Sequence, residues 1–185
     1  MLKVKMKCLL VAMLCSVIFG LTGARAQGQE GVFTIPSFAF ENGGKMIDMK
    51  VGYATHGVLN AAKENVLLVV PGTSGTRHSH DGYIGPGKAF DTNKHFVIAV
   101  DAIGGGTSSQ PKDGLGGDFP RYTIRDMVKA QHELITKGFG LTRVKAVAGA
   151  SMGSSRRSNG RSTIPTWSAA SCCWCHRPGP RTCSK

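Results

Sequence analysis

Between residues 27 and 153 the chain has neither cysteine nor tryptophan. That absence excludes a disulfide-built scaffold and any cysteine-ligated metal for this stretch. Residues 1–26 contain no aspartate or glutamate, and residues 154–185 contain no Leu, Val, Phe, Met, Asp or Glu. A segment with so few apolar side chains cannot contribute much to a core. Long apolar runs are scarce too. The one that exists, Cys8–Leu21, falls short of the ~20 residues that span a bilayer. A charge excess in the body of the chain is also missing. The formal charge is +12, but Lys3, Lys5, Lys7 and Arg25 lie in the first 26 residues. Arg156, Arg157, Arg161, Arg177, Arg181 and Lys185 lie in the last 32. The remaining 13 basic residues face 11 acidic ones, so residues 27–153 are nearly neutral and no nucleic-acid partner is expected.

The two ends differ from the middle. Three lysines, the apolar run and Ala24-Arg25-Ala26 form the pattern of an export signal, with cleavage expected before Gln27. The mature chain is then expected to be periplasmic or secreted, with no membrane association after cleavage. At the other end Cys172, Cys173, Cys175 and Cys183 crowd the last fourteen residues beside His176. In an oxidising compartment they could pair as disulfides. Cys-Cys-x-Cys-His lacks the paired C-x-x-C spacing of a zinc site, so no metal is assigned.

The middle has its own period. Val32–Phe40 and Met46–Thr55, joined by Glu41-Asn42-Gly43-Gly44, predict a β-hairpin. Ile47, Met49 and Val51 alternate with Met46, Asp48 and Lys50, which predicts one half-buried face. Val66–Val70, Phe96–Val100 and Val144–Ala148 are apolar on both faces, as buried parallel strands are. Between the last two, Thr123 caps a helix that ends near Gly138 and Gly140. Its stripe is Ile124, Met127, Val128, Gln131, Leu134 and Ile135. The fold class is therefore α/β: an N-terminal hairpin followed by parallel βαβ units. Gly104-Gly105-Gly106 neither opens a helix nor completes G-x-G-x-x-G, and is expected to be a flexible loop rather than a phosphate cradle. No cofactor motif is present.

Gly149-Ala150-Ser151-Met152-Gly153 is G-x-S-x-G directly after a buried strand. The glycines leave room for a turn so tight that its central residue is strained. Such a turn lifts the Ser151 hydroxyl above the sheet edge and aims the Met152 amide at a developing oxyanion. A second amide is expected from the loop after the Val66–Val70 strand, where Thr73 is the candidate and an ordinary surface turn the alternative. His78 and His80, in the same loop, are expected to be solvated.

Several further stretches resemble the homoserine O-acetyltransferase family of α/β-hydrolases. They are Tyr53–Asn60, Gly85–Thr92, Asp118-Phe119-Pro120, Thr123–Val128 and Ala130-Gln131, in register with Gly149–Gly153 over residues 33–153. The resemblance implies Ser151 as an acyl-carrying nucleophile, with the Thr73 and Met152 amides as its oxyanion hole. It implies a ping-pong transfer from a small-molecule ester or acyl donor to a hydroxyl or water. Where the family has His-Ala-Leu-Thr-Gly, this chain has Pro71-Gly72-Thr73-Ser74-Gly75. With the export signal, that raises hydrolysis of an ester or amide above homoserine acetylation.

In this fold the triad runs Ser, then Asp or Glu, then His. The expectation is an incomplete α/β-hydrolase fold, with the later strands and cap missing. Residues 1–26 are expected to be a signal peptide and 27–153 the N-terminal half of the hydrolase domain. Residues 154–185 read as an out-of-frame, disordered tail beginning just after Gly153. Such a chain would be an acyl-transfer enzyme by descent, inactive as it stands. The competing expectation is a non-enzymatic remnant or binding module that keeps the half-sheet.

Overall fold

The computed structural model describes residues 28–73, 75–153 and the backbone of 170–173. The expected export signal and most of the tail, including its thiols and its reading as out-of-frame sequence, lie outside the described residues. Strands β1 (Gln29–Ala39) and β2 (Lys45–His56) form the hairpin. They are followed by β3 (Val66–Val70), two short strands β4 (Ile84–Gly85) and β5 (Phe90–Asp91), and β6 (Phe96–Val100). Helix α1 (Ile124–Glu133) then leads to β7 (Ala146–Gly149), and β8 is Ala170–Cys173. The main sheet runs β1-β2-β6-β3-β7-β8. β1–β2 and β2–β6 pair antiparallel, whereas β3 is parallel to both β6 and β7.

Both faces of the central strands are covered, which is why those strands read as unbroken apolar runs. Leu68, Val70, Ile98, Val100 and Val147 face Met127, Val128, Leu134 and Ile135 of the helical layer. Leu67, Val69, Val97 and Ala99 pack on the other side with Ile84 and, at its margin, Phe90. That second layer departs from the expected βαβ units, since the described residues between β3 and β6 contain no α-helix. Pro86 with Gly82, Gly85 and Gly87 leaves no run long enough for one.

α1 begins as its sequence predicts. The Thr123 side chain accepts from the Asp126 amide, and the Asp126 carboxylate accepts from the Thr123 amide. Asp126 also accepts from the Glu41 amide at 2.8 Å, tying the hairpin turn to the helix start. The helix then widens into a π turn over Leu134–Gly138 instead of running on to Gly138. The hairpin's simple alternation needs correcting. Ile35 pairs with Met49 and Ser37 with Ile47, which sets Pro36, lacking an N–H, opposite Asp48. Asp48 takes φ +52°, and the strand turns over there. Met46 is consequently buried beside Met49 and Val51, while Ile47 is 63% exposed.

Of the tail, the described residues include only the backbone of β8. The backbone of β8 lies parallel to β7, with Ala148 opposite Cys172 and Gly149 opposite Cys173. β7 would otherwise present a row of unpaired N–H and C=O groups, which an extended segment satisfies whatever its side chains.

Candidate functional site

The carboxyl ends of β3, β6 and β7 converge, as the crevices of open α/β sheets do. β3 delivers Pro71-Gly72-Thr73, β6 delivers Asp101, and β7 delivers Ser151. Ser151 is exposed and takes φ +54°, a left-handed conformation that costs a non-glycine residue about 1–3 kcal/mol. The flanking glycines show what holds it there. A Cβ on Gly149 would lie 2.6 Å from Val70 Cγ2 and 2.8 Å from the Val70 carbonyl oxygen. One on Gly153 would lie 2.8 Å from that same oxygen. The Gly153 amide donates to the Ala150 carbonyl at 2.9 Å, closing the turn as Met152 and Gly153 enter a helical turn.

The structure brings the three expected site residues together. An ideal Cβ on Gly72 would be 3.5 Å from Ser151 Cβ, so the loop carrying Thr73 runs directly beside the serine. The Thr73 hydroxyl donates to Met152 Sδ at 3.8 Å. Among the described residues no side chain hydrogen-bonds the Ser151 hydroxyl.

Of the two loop histidines, His78 is exposed as expected and His80 is not. His78 stands between carboxylates, with Nε2 3.3 Å from Glu30 and Nδ1 3.0 Å from Asp81. His80 is half-buried and, with Tyr83, Phe90 and Ala148–Ala150, lines an apolar cavity of about 120 Å³. Gly104–Gly106 is likewise not a free loop. The Gly104 amide donates to the Ser109 carbonyl, and the Ser108 amide to Gly105. A Cβ on Gly106 would sit 2.3 Å from the Asp101 carboxylate, so the glycines let the chain wrap that side chain.

Asp101 was missed in the sequence. Its side chain is fully buried and accepts from the Arg77 amide and guanidinium, both at 2.7 Å. It also accepts from the Thr107 amide at 2.8 Å and the Thr107 hydroxyl at 3.1 Å. Arg77 reaches on to Glu30 at 2.5 Å, and that hydrogen bond holds the Glu30 carboxyl below its ordinary range. An aspartate ending an apolar strand was the available signal.

Comparison with known proteins decides the fold. Residues 65–155 match the alpha/beta hydrolase fold family. Homoserine O-acetyltransferase of Chlorobaculum parvum is 44% identical over 127 residues, covering 63% of this chain and 35% of that protein. The described residues carry an α/β-hydrolase fold, and residues 33–153 are similar to the homoserine O-acetyltransferases. Among solved structures of that fold, the acetyl esterase MekB superposes with a TM-score of 0.73 at 33% identity, over 77% of this chain and 43% of its own. Homoserine O-acetyltransferase from Bacillus anthracis gives 0.64 at 34% identity, over 75% and 44%. The chain spans 28–40% of the length of the curated relatives it matches.

The titratable groups of this segment make one prediction about pH. Burial pushes the imidazoles of His56, His95 and His132 below their ordinary value of 6.5. Among the described residues His56 Nε2 and His95 Nδ1 also lack a hydrogen-bond partner. The unfolded chain therefore takes up protons near pH 6.5 that the folded chain declines, so stability is full above that pH and falls below it. The lowered carboxyls of Glu30, Glu41 and Asp91 extend the loss through the acid range. Urea midpoints are expected to fall monotonically from about pH 7.5 to about pH 4. A midpoint that rises on acidification contradicts the assignment.

Proposed function

We propose that Ser151 is the nucleophile of an exported acyl-transfer site and that the Thr73 and Met152 amides form its oxyanion hole. The observation that carries this is the left-handed, exposed Ser151 between two glycines that have no room for a Cβ. The Ser151 oxygen attacks the carbonyl carbon of a small-molecule ester, and its proton passes to a base. The ester's alkoxide leaves with a proton, and a water or acceptor hydroxyl then releases the acyl group from the serine. Hydrolysis is favoured over transfer to homoserine. The Pro71–Gly75 loop departs from His-Ala-Leu-Thr-Gly, the N-terminus carries an export signal, and the acetyl esterase MekB superposes well.

No described side chain is hydrogen-bonded to Ser151 as a base would be. In the order Ser, acid, His, the other two members belong to the later part of the relatives, which the match does not reach. The described residues therefore hold the nucleophile part of the site, and a serine without its partners keeps only the help of the oxyanion hole and binding. Incubation with a labelled organophosphonate tests the assignment. One label per chain on Ser151, lost in Ser151→Ala, supports it. No labelling of a cooperatively folded chain supports the non-enzymatic reading instead.

A further inference from the structure

From the knot around Asp101 we infer that Arg77 and Asp101 are positioning residues that hold the oxyanion-hole loop against the nucleophile turn; this rests on the function proposed above. The loop runs from the end of β3 and carries Thr73 past Ser151. Of its sequence, Pro-Gly-Thr-Ser-Gly-Thr, Pro71 is buried, while Thr73 is exposed and Gly75 and Thr76 are half-buried. Further anchors come from the end of the neighbouring strand β6. The Ala102 amide donates to the Gly75 carbonyl at 3.2 Å, and the Gly75 amide donates back to Gly72 at 3.3 Å. Two residues on, Arg77 is gripped twice by Asp101, through its amide on Oδ1 and its guanidinium on Oδ2.

The geometry explains why an arginine is used. One planar fork reaches Asp101 and Thr107 through Nη1 and Glu30 through Nε and Nη2. It thereby joins β1, the end of β6 and the 104–109 loop to the segment that carries Thr73. Asp101 is held in turn by the Thr107 amide and hydroxyl. Gly52 and Gly106 leave the room its carboxylate occupies, since a Cβ on either would fall within 2.3 Å of it. The cluster is a rigid post planted beside the serine, and the Thr73 amide hangs from it by four residues. An oxyanion donor must be in place before charge develops, and a displacement of 1 Å costs on the order of 100-fold in rate.

Arg77→Lys tests this while retaining the charge and the backbone amide bond to Asp101. Lysine cannot span Asp101, Thr107 and Glu30 together. Amide hydrogen exchange in residues 72–77 is expected to accelerate about tenfold or more, with exchange in β3 and β6 unchanged. The rate of organophosphonate capture at Ser151 is expected to fall about tenfold or more, with the same final stoichiometry. Glu30→Gln, which weakens only the outer contacts to Arg77 and His78, is expected to give a smaller shift in both. Wild-type exchange in Arg77→Lys overturns the clamp, and so does faster exchange with an unchanged capture rate. If the wild-type chain captures no probe, the nucleophile assignment fails, and the role in positioning an oxyanion donor fails with it. The exchange data then report separately whether Arg77 holds the loop.

Discussion

Gly149→Ala is expected to remove organophosphonate capture at Ser151 by about 100-fold or more and to cost the fold about 3 kcal/mol. A single methyl group does this because of where it would land. It would meet Val70 Cγ2 at 2.6 Å, the Val70 carbonyl oxygen at 2.8 Å and the Gly153 carbonyl carbon at 3.0 Å. None of these can step aside easily. Val70 is fully buried and its backbone is paired with Gly149 across the sheet. The Gly153 backbone closes the turn itself. The methyl therefore pushes β7 away from β3 or flattens the turn, and either movement takes Ser151 out of its φ +54° conformation. Gly117→Ala supplies the control, because nothing lies within 4 Å of its Cβ position. That variant should melt within about 1 kcal/mol of the wild type and be labelled at the wild-type rate. Denaturant titration with labelling of both variants checks the pair. Equal behaviour would mean that the turn tolerates side chains and that the strain at Ser151 is not enforced by its neighbours.

The contrast between these glycines shows where sequence reasoning reaches and where it stops. The strand before Ser151 was visible because β3, β6 and β7 are covered on both faces, and that burial writes itself as Val-Leu-Leu-Val-Val and its counterparts. The helix start was visible because Thr123 and Asp126 form a reciprocal cap within four residues. Features settled by neighbours close in the chain are legible in this way. Asp48 was not, although it too is local. A period-two pattern assumes a regular strand, and the pattern cannot reveal that Pro36 opposite, lacking an N–H, interrupts the ladder there. The Asp101 cluster was out of reach for a different reason. Arg77 and Asp101 are 24 residues apart and meet only because β3 and β6 lie side by side in parallel. Before that pairing is known, Arg77 is one basic residue in a polar loop and Gly104–Gly106 is a run of flexible glycines. Afterwards the glycines are the space around a buried carboxylate.

That carboxylate carries a large expected loss of stability for a polar side chain. Asp101→Ala should cost about 3–5 kcal/mol, the range seen when one partner of a buried ion pair is removed. Four donors lose their acceptor at once: the Arg77 amide, its guanidinium, the Thr107 amide and the Thr107 hydroxyl. Arg77 keeps Glu30, but that contact lies at the half-exposed rim, where the glutamate side chain is 50% exposed and screened by water. The inner end of the guanidinium would keep only the Thr107 hydroxyl. Asp101→Asn separates the two contributions. Asparagine fills the volume and can still accept from the Arg77 amide, but its NH2 group would point a donor at another donor and its charge is gone. Asn should therefore recover part of the loss and remain well below the wild type, by about 2 kcal/mol or more. If alanine and asparagine melt together, only the ionised pair matters. If asparagine matches the wild type, the packing of the post matters and its charge does not. Chemical denaturation of the three chains at one pH and ionic strength distinguishes these results, because a pair this deeply buried is little affected by salt.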